Sequence, residues 1–325
     1  MTSPIAASPH PVKYGILLGN IALFLLLLQV LPFDDNVVTG LSLLIFIAIL
    51  WLTEAIHVSI TALLVPVLAV GLQVFPTGKA LGYFADPIIF LFLGGFALAS
   101  ALSAQGLDKA IAAQVLNIAR GRLRMAILLL FAVAAALSMW ISNTATTAMM
   151  LPLVLGMLSQ LDREHHDNTW IFALLGIAYC ASIGGIATLV GSPPNAIAAA
   201  HTGLSFMDWM QKALPLTLLL LPAAVFVLYA VLKPDLSARV QTTHQRIDWT
   251  PSRKLTLLIF AATVLCWMAS APLSRLLGGL SSFDSLIAIA AIIALATSGV
   301  VGWKDIERTT DWSVLLLFGG GLCLS

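Results

Sequence analysis

Long apolar runs interrupted by short polar islands dominate this chain, and each run is measured against the roughly 20 residues a helix needs to cross a bilayer core. The runs predict spans over residues 14–32, 38–55, 57–74, 85–108, 170–200, 209–232, 254–272, 282–301 and from 311 onward. The first follows Lys13 in the manner of a signal peptide. Pro32-Phe33-Asp34-Asp35 offers no small-residue cleavage site after it, so it reads as a retained span. Residues 124–160 stand apart: about 37 residues, slightly short of two spans and a turn, with a polar centre where the turn belongs. They predict a re-entrant hairpin with its tip at Ser142-Asn143-Thr144, two tilted spans with a tight polar loop being the competing reading. Ser142, Asn143, Thr144, Thr146 and Thr147 would be costly in lipid, so this island faces a cavity or a ligand.

A second island, Gly184-Gly-Ile-Ala-Thr-Leu-Val-Gly-Ser-Pro-Pro-Asn195, falls inside the span after the hairpin. Gly191 permits close backbone approach, while Pro193 and Pro194 lack amide donors, which predicts a discontinuous helix. A plain kink with tight helix packing is the simpler alternative. Freed carbonyls and a half-helix C-terminus suit a hard cation; free amides at a half-helix N-terminus suit an anion. Two such islands close in sequence favour a site.

The stretch from Asp86 to Ser100 also recurs as Asp311 to Ser325, with Asp, Leu, Gly-Gly and Ser in register. An odd number of spans between the copies predicts repeats of inverted topology, and the second copy is expected to be truncated, making the chain an N-terminal fragment.

Composition agrees with the pattern. The chain of 325 residues is 60% hydrophobic and 10% charged, with mean hydropathy +1.00, against about 25% charged in a soluble domain. The fold class is therefore an all-α polytopic membrane protein. Net charge of +1 gives no indication of nucleic acid. The position of the charges matters more. With a cytoplasmic N-terminus and a hairpin that returns to its own side, Lys13, Lys109, Arg120, Arg122, Arg124, Arg163, Lys233, Arg239, Arg246, Arg253, Lys254, Lys304 and Arg308 lie inside; Lys79, Lys212 and Arg275 lie outside. The polar stretch 233–253 reads as a cytoplasmic linker.

Cys180, Cys266 and Cys323 lack paired spacing and read as small core residues. Asp86 and Asp311 each precede an apolar run and read as helix caps rather than proton relays, Glu54 being the third carboxylate near a span end. Glu164-His165-His166-Asp167 lacks i, i+4 ligand spacing and reads as a solvated turn in a loop; His201 reads as an interface residue. No nucleophile with a base, aspartate pair or HExxH appears in the spans, which argues against an intramembrane enzyme.

Ser138-Met-Trp-Ile-Ser-Asn-Thr-Ala-Thr146, Gly191-Ser-Pro-Pro-Asn195, Phe92-Leu-Gly-Gly-Phe96 and Trp51-Leu-Thr-Glu-Ala-Ile56 together resemble the divalent anion/sodium symporter family of dicarboxylate, citrate and sulfate carriers. Two departures are visible: His57 stands where the family usually has Pro, and Ser192 where it usually has Thr, keeping the hydroxyl. The resemblance implies a first sodium site from Ser138, Ser142, Asn143 and the Gly191 backbone, with Asn143, Thr144 and Ser192 on the substrate carboxylate. It also implies a homodimer in the bacterial inner membrane and elevator-type sodium symport of a divalent anion such as succinate or malate. Residues 1–120 and 254–325 would be scaffold, and 121–232 half of the transport domain (hairpin 124–160, broken helix 170–200, span 209–232). A proton-coupled or facilitative carrier on the same fold is the alternative.

Overall fold

The computed structural model describes residues 11–240 and 248–325. Arg246 and the rest of 241–247 within the expected linker lie outside the described residues. The helices are α1 (Pro11–Val30), α2 (Asp35–Thr53), α3 (Val58–Gly71), α4 (Thr77–Gly82), α5 (Pro87–Ala104), α6 (Leu107–Ala119), α7 (Leu123–Ser138) and α8 (Asn143–Leu158). They continue as α9 (Arg163–Gly184), α10 (Pro193–Thr202), α11 (Phe206–Leu232), α12 (Pro251–Met268), α13 (Ser270–Leu276), α14 (Phe283–Thr297), α15 (Trp303–Thr309) and α16 (Trp312–Leu324). The described residues form no strand, only an isolated antiparallel bridge between Arg122 and Arg239. Among the described residues six stretches are long and apolar enough to cross a membrane: 12–30, 35–53, 77–104, 163–187, 206–232 and 251–268. Five more helices, α3, α7, α8, α14 and α16, are apolar but shorter. The molecule is an all-α, multi-pass membrane protein.

The packing divides into two units. One holds residues up to Ile89 together with 311–325. Leu43, Phe46, Ile47 and Leu50 repeat at helical spacing along α2 and bury against Val65, Ala69, Ala80 and Cys323. Asn20 of α1 donates to the Phe46 carbonyl at 2.9 Å, which satisfies a polar side chain inside an apolar span. His57 is the N-cap of α3, its Nδ1 accepting from the Ser59 amide at 3.3 Å, a role the proline usual in the resembled family could not fill. Asp311 caps α16 by accepting from the Val314 amide, and Asp86 does the same for α5 through the Ile88 amide at 2.9 Å.

The other unit runs from Phe90 to Thr310. Its core is built on α7, α8 and α9 and includes Leu130, Phe131, Ala134, Met150, Val154, Phe172, Ile177 and Cys180. A Cβ on Gly176 would stand 1.9 Å from the Phe131 ring, and one on Gly184 2.3 Å from the Ala135 carbonyl oxygen, so these glycines let α9 lie directly on α7. Residues 139–142 form the tip, and there Trp140 stacks on Phe206 (6.1 Å between centroids), which stacks on Trp267 (4.9 Å). The Phe206 amide donates to Asp284 Oδ2 at 2.9 Å and Trp267 Nε1 to the Asp284 carbonyl at 2.9 Å. At the other end of α7, Val240 N–H donates to the Gly121 carbonyl (2.9 Å) and Leu123 N–H to that of Ala238 (3.3 Å).

Several boundaries differ from expectation. The span expected from 170 begins as α9 at Arg163, because Asp162 caps it through the Glu164 amide. Glu164-His165-His166-Asp167 is a largely exposed turn at the start of α9, kinked at His166 (φ −127°, ψ 25°), with His165 Nδ1 2.6 Å from Asp162 Oδ2. That contact and the Glu164 amide hold the Asp162 carboxyl below its usual range. Residues 254–272 divide at Ala269 into α12 and α13, and α6 is a further amphipathic helix beyond the span expected to end at 108. Cys180 and Cys323 are buried as expected, and Cys266 is half-buried.

The helix boundaries follow the same offset. Shifted by the 225 residues that separate Asp86 from Asp311, α3, α4 and α5 fall on α14, α15 and α16. The Gly-Gly pairs also act alike: a Cβ on Gly94 would sit 2.5 Å from Ala288 Cβ of α14, and one on Gly320 2.9 Å from the Ala62 carbonyl of α3.

Candidate functional site

Three interrupted segments converge at the tip. α7 stops at Ser138 and α8 starts at Asn143, each of them 16 residues long. α9 passes through a single 3-10 turn, 185–187, into extended backbone at Thr188 (φ −127°, ψ 163°) and Ser192 (φ −152°, ψ 138°) before α10 begins. The helix expected over 170–200 is thus broken where its glycines and prolines predicted. Pro193 and Pro194 occupy the first turn of α10, the place where a missing amide costs least.

Ser138 is fully buried and its Oγ donates to Asn143 Oδ1 at 2.6 Å, closing the hairpin tip across five residues. Asn143 Oδ1 points at Gly185, where a Cβ would stand 2.2 Å from it. Gly191 crosses the same point: a Cβ there would be 2.4 Å from the Gly185 carbonyl oxygen and 2.8 Å from that of Ser138. Ser138, Asn143, Gly185 and Gly191 are therefore one cluster in which hydroxyl, amide and main-chain oxygens crowd at the C-terminal ends of α7 and α9. Helix dipoles make such ends negative, which favours a cation.

The start of α8 has the opposite character. Ser142 is its N-cap, accepting from the Ala145 amide at 3.3 Å, and its carbonyl takes the Thr146 amide. The Asn143 and Thr144 amides keep no partner among the described residues, so this helix start is disposed toward an anion. Thr144 is exposed and Ser192 half-buried, and neither hydroxyl makes a hydrogen bond among the described residues. They stand at the starts of α8 and α10, next in the chain to Asn143 and Gly191 of the cluster.

Supporting residues lay within the polar islands without a role assigned from sequence. Asn195 is buried, and its Nδ2 donates to the carbonyls of Thr188 (2.7 Å), Gly185 (2.8 Å) and Ile186 (3.4 Å). Trp209 Nε1–H donates to the Ile186 carbonyl at 3.0 Å, and the Thr188 hydroxyl donates to the Met139 carbonyl, tying the break to the tip. The carbonyls released by the break are in this way satisfied without helix. Thr147 donates back to the Asn143 carbonyl at 2.8 Å, whereas the buried Thr146 hydroxyl has no partner. The signal that could have found Asn195 is an amide side chain directly after a proline pair in an apolar span. His201 is exposed in the last turn of α10, away from these contacts.

Residues 48–325 match the family model described as citrate transporter. An uncharacterized transporter of Haemophilus influenzae is 52% identical over 327 residues, covering 98% of this chain and 71% of that protein. An uncharacterized transporter of Methanocaldococcus jannaschii is 40% identical over 312 residues, covering 96% and 70%. The sodium-dependent dicarboxylate transporter SdcS of Staphylococcus aureus is 31% identical over 348 residues, covering 96% of this chain and 66% of that protein.

Proposed function

The chain belongs to the citrate transporter family and is a membrane transporter rather than an enzyme; on that premise we propose that it couples sodium entry to uptake of a divalent anion, a C4-dicarboxylate such as succinate or malate. The observation that carries the proposal is the Ser138–Asn143 hydrogen bond beside the Gly185–Gly191 crossing, where neutral oxygens gather at two helix C-termini. The sodium dependence and dicarboxylate specificity in the name of the staphylococcal relative support it.

In this reading Ser138, Ser142, Asn143 and the Gly191 backbone hold sodium, and Asn143, Thr144 and Ser192 meet a substrate carboxylate. Asn143 serves both ligands. A cation and a carboxylate about 4 Å apart attract by about 4 kcal/mol at an effective dielectric of 20, so bound sodium makes the anion tolerable in a site without Arg or Lys. The two islands and α11 would travel as part of a transport domain (121–232) against scaffold from 1–120 and 254–325, with 233–253 as the linker, inverted repeats giving the two access states. A homodimer in the inner membrane, with the N-terminus and most basic residues cytoplasmic, completes the proposal.

The test is uptake of labelled succinate by proteoliposomes carrying the protein as its gene encodes it. Uptake should collapse when choline replaces sodium; uptake that persists unchanged would point to the proton-coupled or facilitative carrier instead.

A further inference from the structure

α7, α9 and α11 leave a groove of about 550 Å³ between them. Its walls are apolar: Leu128, Ala132 and Ala135 from α7 and Pro222, Val225 and Phe226 from α11. The one charged residue lining it is Arg124, in the first turn of α7. We propose that this groove holds an acyl chain of an anionic membrane phospholipid whose phosphate is paired by Arg124.

The order of residues along the groove sets the polarity. Arg124 and Ala135 are about 16 Å apart along α7, so the cation lies at one end and the other end is wholly apolar. α11 runs the opposite way, since Phe206 stacks at the tip while the chain beyond Leu232 returns to α7 at Ala238. Tyr229, the other polar lining residue, therefore lies at the Arg124 end. A head-and-tail ligand fits this gradient.

Charge argues for an anionic head. Arg124 is exposed and makes no hydrogen bond or ion pair among the described residues, and Arg120, Arg122 and Arg239 are exposed around the same base of α7. The nearby Asp235 carboxylate is engaged by the Ser237 amide (2.9 Å) and hydroxyl (2.7 Å). Basic pockets between membrane helices take lipid phosphates in this way, and a guanidinium matches phosphate geometry in two-pronged fashion. A dicarboxylate does not suit the groove: its second carboxylate would be buried against Val225 and Phe226 without a partner. The proposal is independent of the coupling ion and of the anion transported.

Native mass spectrometry of the detergent-purified protein, titrated with phosphatidylglycerol or with phosphatidylcholine of the same acyl chains, tests it. One phosphatidylglycerol should be retained at least tenfold more tightly than phosphatidylcholine. Arg124→Gln should erase that preference and Arg124→Lys keep part of it. Val225→Trp, which fills the groove, should reduce retention of both lipids; should that variant not fold, the two Arg124 variants decide alone. Equal retention of the two lipids, or a preference that survives Arg124→Gln, overturns the proposal. So does a diazirine-labelled acyl chain that crosslinks outside α7, α9 and α11, the result expected if protein covers the groove.

Discussion

A single methyl group is the sharpest probe of the tip cluster. Gly185 has φ/ψ that alanine adopts without strain, yet the added Cβ would meet Asn143 Oδ1 at 2.2 Å and the Gly191 carbonyl at 3.0 Å. Gly185→Ala should therefore fold and still raise the sodium half-saturation at least tenfold, about 1.4 kcal/mol. Sodium-dependent thermal stabilisation checks this without transport, because a ligand that binds only the native state raises its melting point; stabilisation equal to wild type would remove Gly185 from the site. Asn143→Ala should weaken apparent affinity for sodium and substrate together, since in the proposed site one side chain serves two linked ligands and its loss leaves Ser138 without its acceptor. Uptake kinetics normal in both would refute the shared role. Asn143 and Ser138 were legible in the sequence as polar groups in an apolar run. Gly185 was not, because Gly184 and Gly185 look identical in sequence and only the fold decides that one abuts Ala135 and the other Asn143.

Among the elements, the turn at 139–142 and the break at 185–192 fall in the two polar islands, while their neighbours were read less well. Helices of 16 residues rise about 24 Å, short of the roughly 30 Å hydrocarbon core, which is why a length count alone could single out 124–160. The broken helix was legible through its prolines and glycines. α6 was not, since Asp108, Lys109, Gln114 and Asn117 give it an amphipathic rather than a spanning pattern. The polar start of α9 was read as a solvated turn, and the kink at His166 sets it off from the apolar part of the helix. The tip's aromatic seat also escaped notice: Trp140, Phe206 and Trp267 are spread over some 127 residues and meet only in the fold. Phe206→Ala removes the middle ring, a core truncation of about 3–5 kcal/mol. It should lower the melting temperature and raise the sodium half-saturation, because Trp140 adjoins the Ser142 cap. Phe33→Ala, at an exposed position, should do neither; a Phe206→Ala protein with unchanged sodium response would separate the stack from the site.

For the whole molecule, composition was enough to establish a polytopic membrane protein, and the Asp and Gly-Gly register between 86–100 and 311–325 was enough to suggest a repeat. The sequence could not say what the glycines do. Gly94 approaches Ala288 of α14 and Gly320 approaches Ala62 of α3, so each copy's fifth-helix equivalent meets the other copy's third. Such a cross-exchange is a relation in space, which a one-dimensional match does not contain.

The joint at the base of the hairpin also sets a timetable. Gly121 and Leu123 are held by Val240 and Ala238, so the foot of α7 cannot be fastened until the ribosome has delivered residues about 120 positions later. At roughly 5–20 residues per second that is a wait on the order of ten seconds. The hairpin must spend it shielded by whatever surrounds the nascent chain, before its own anchor has been made.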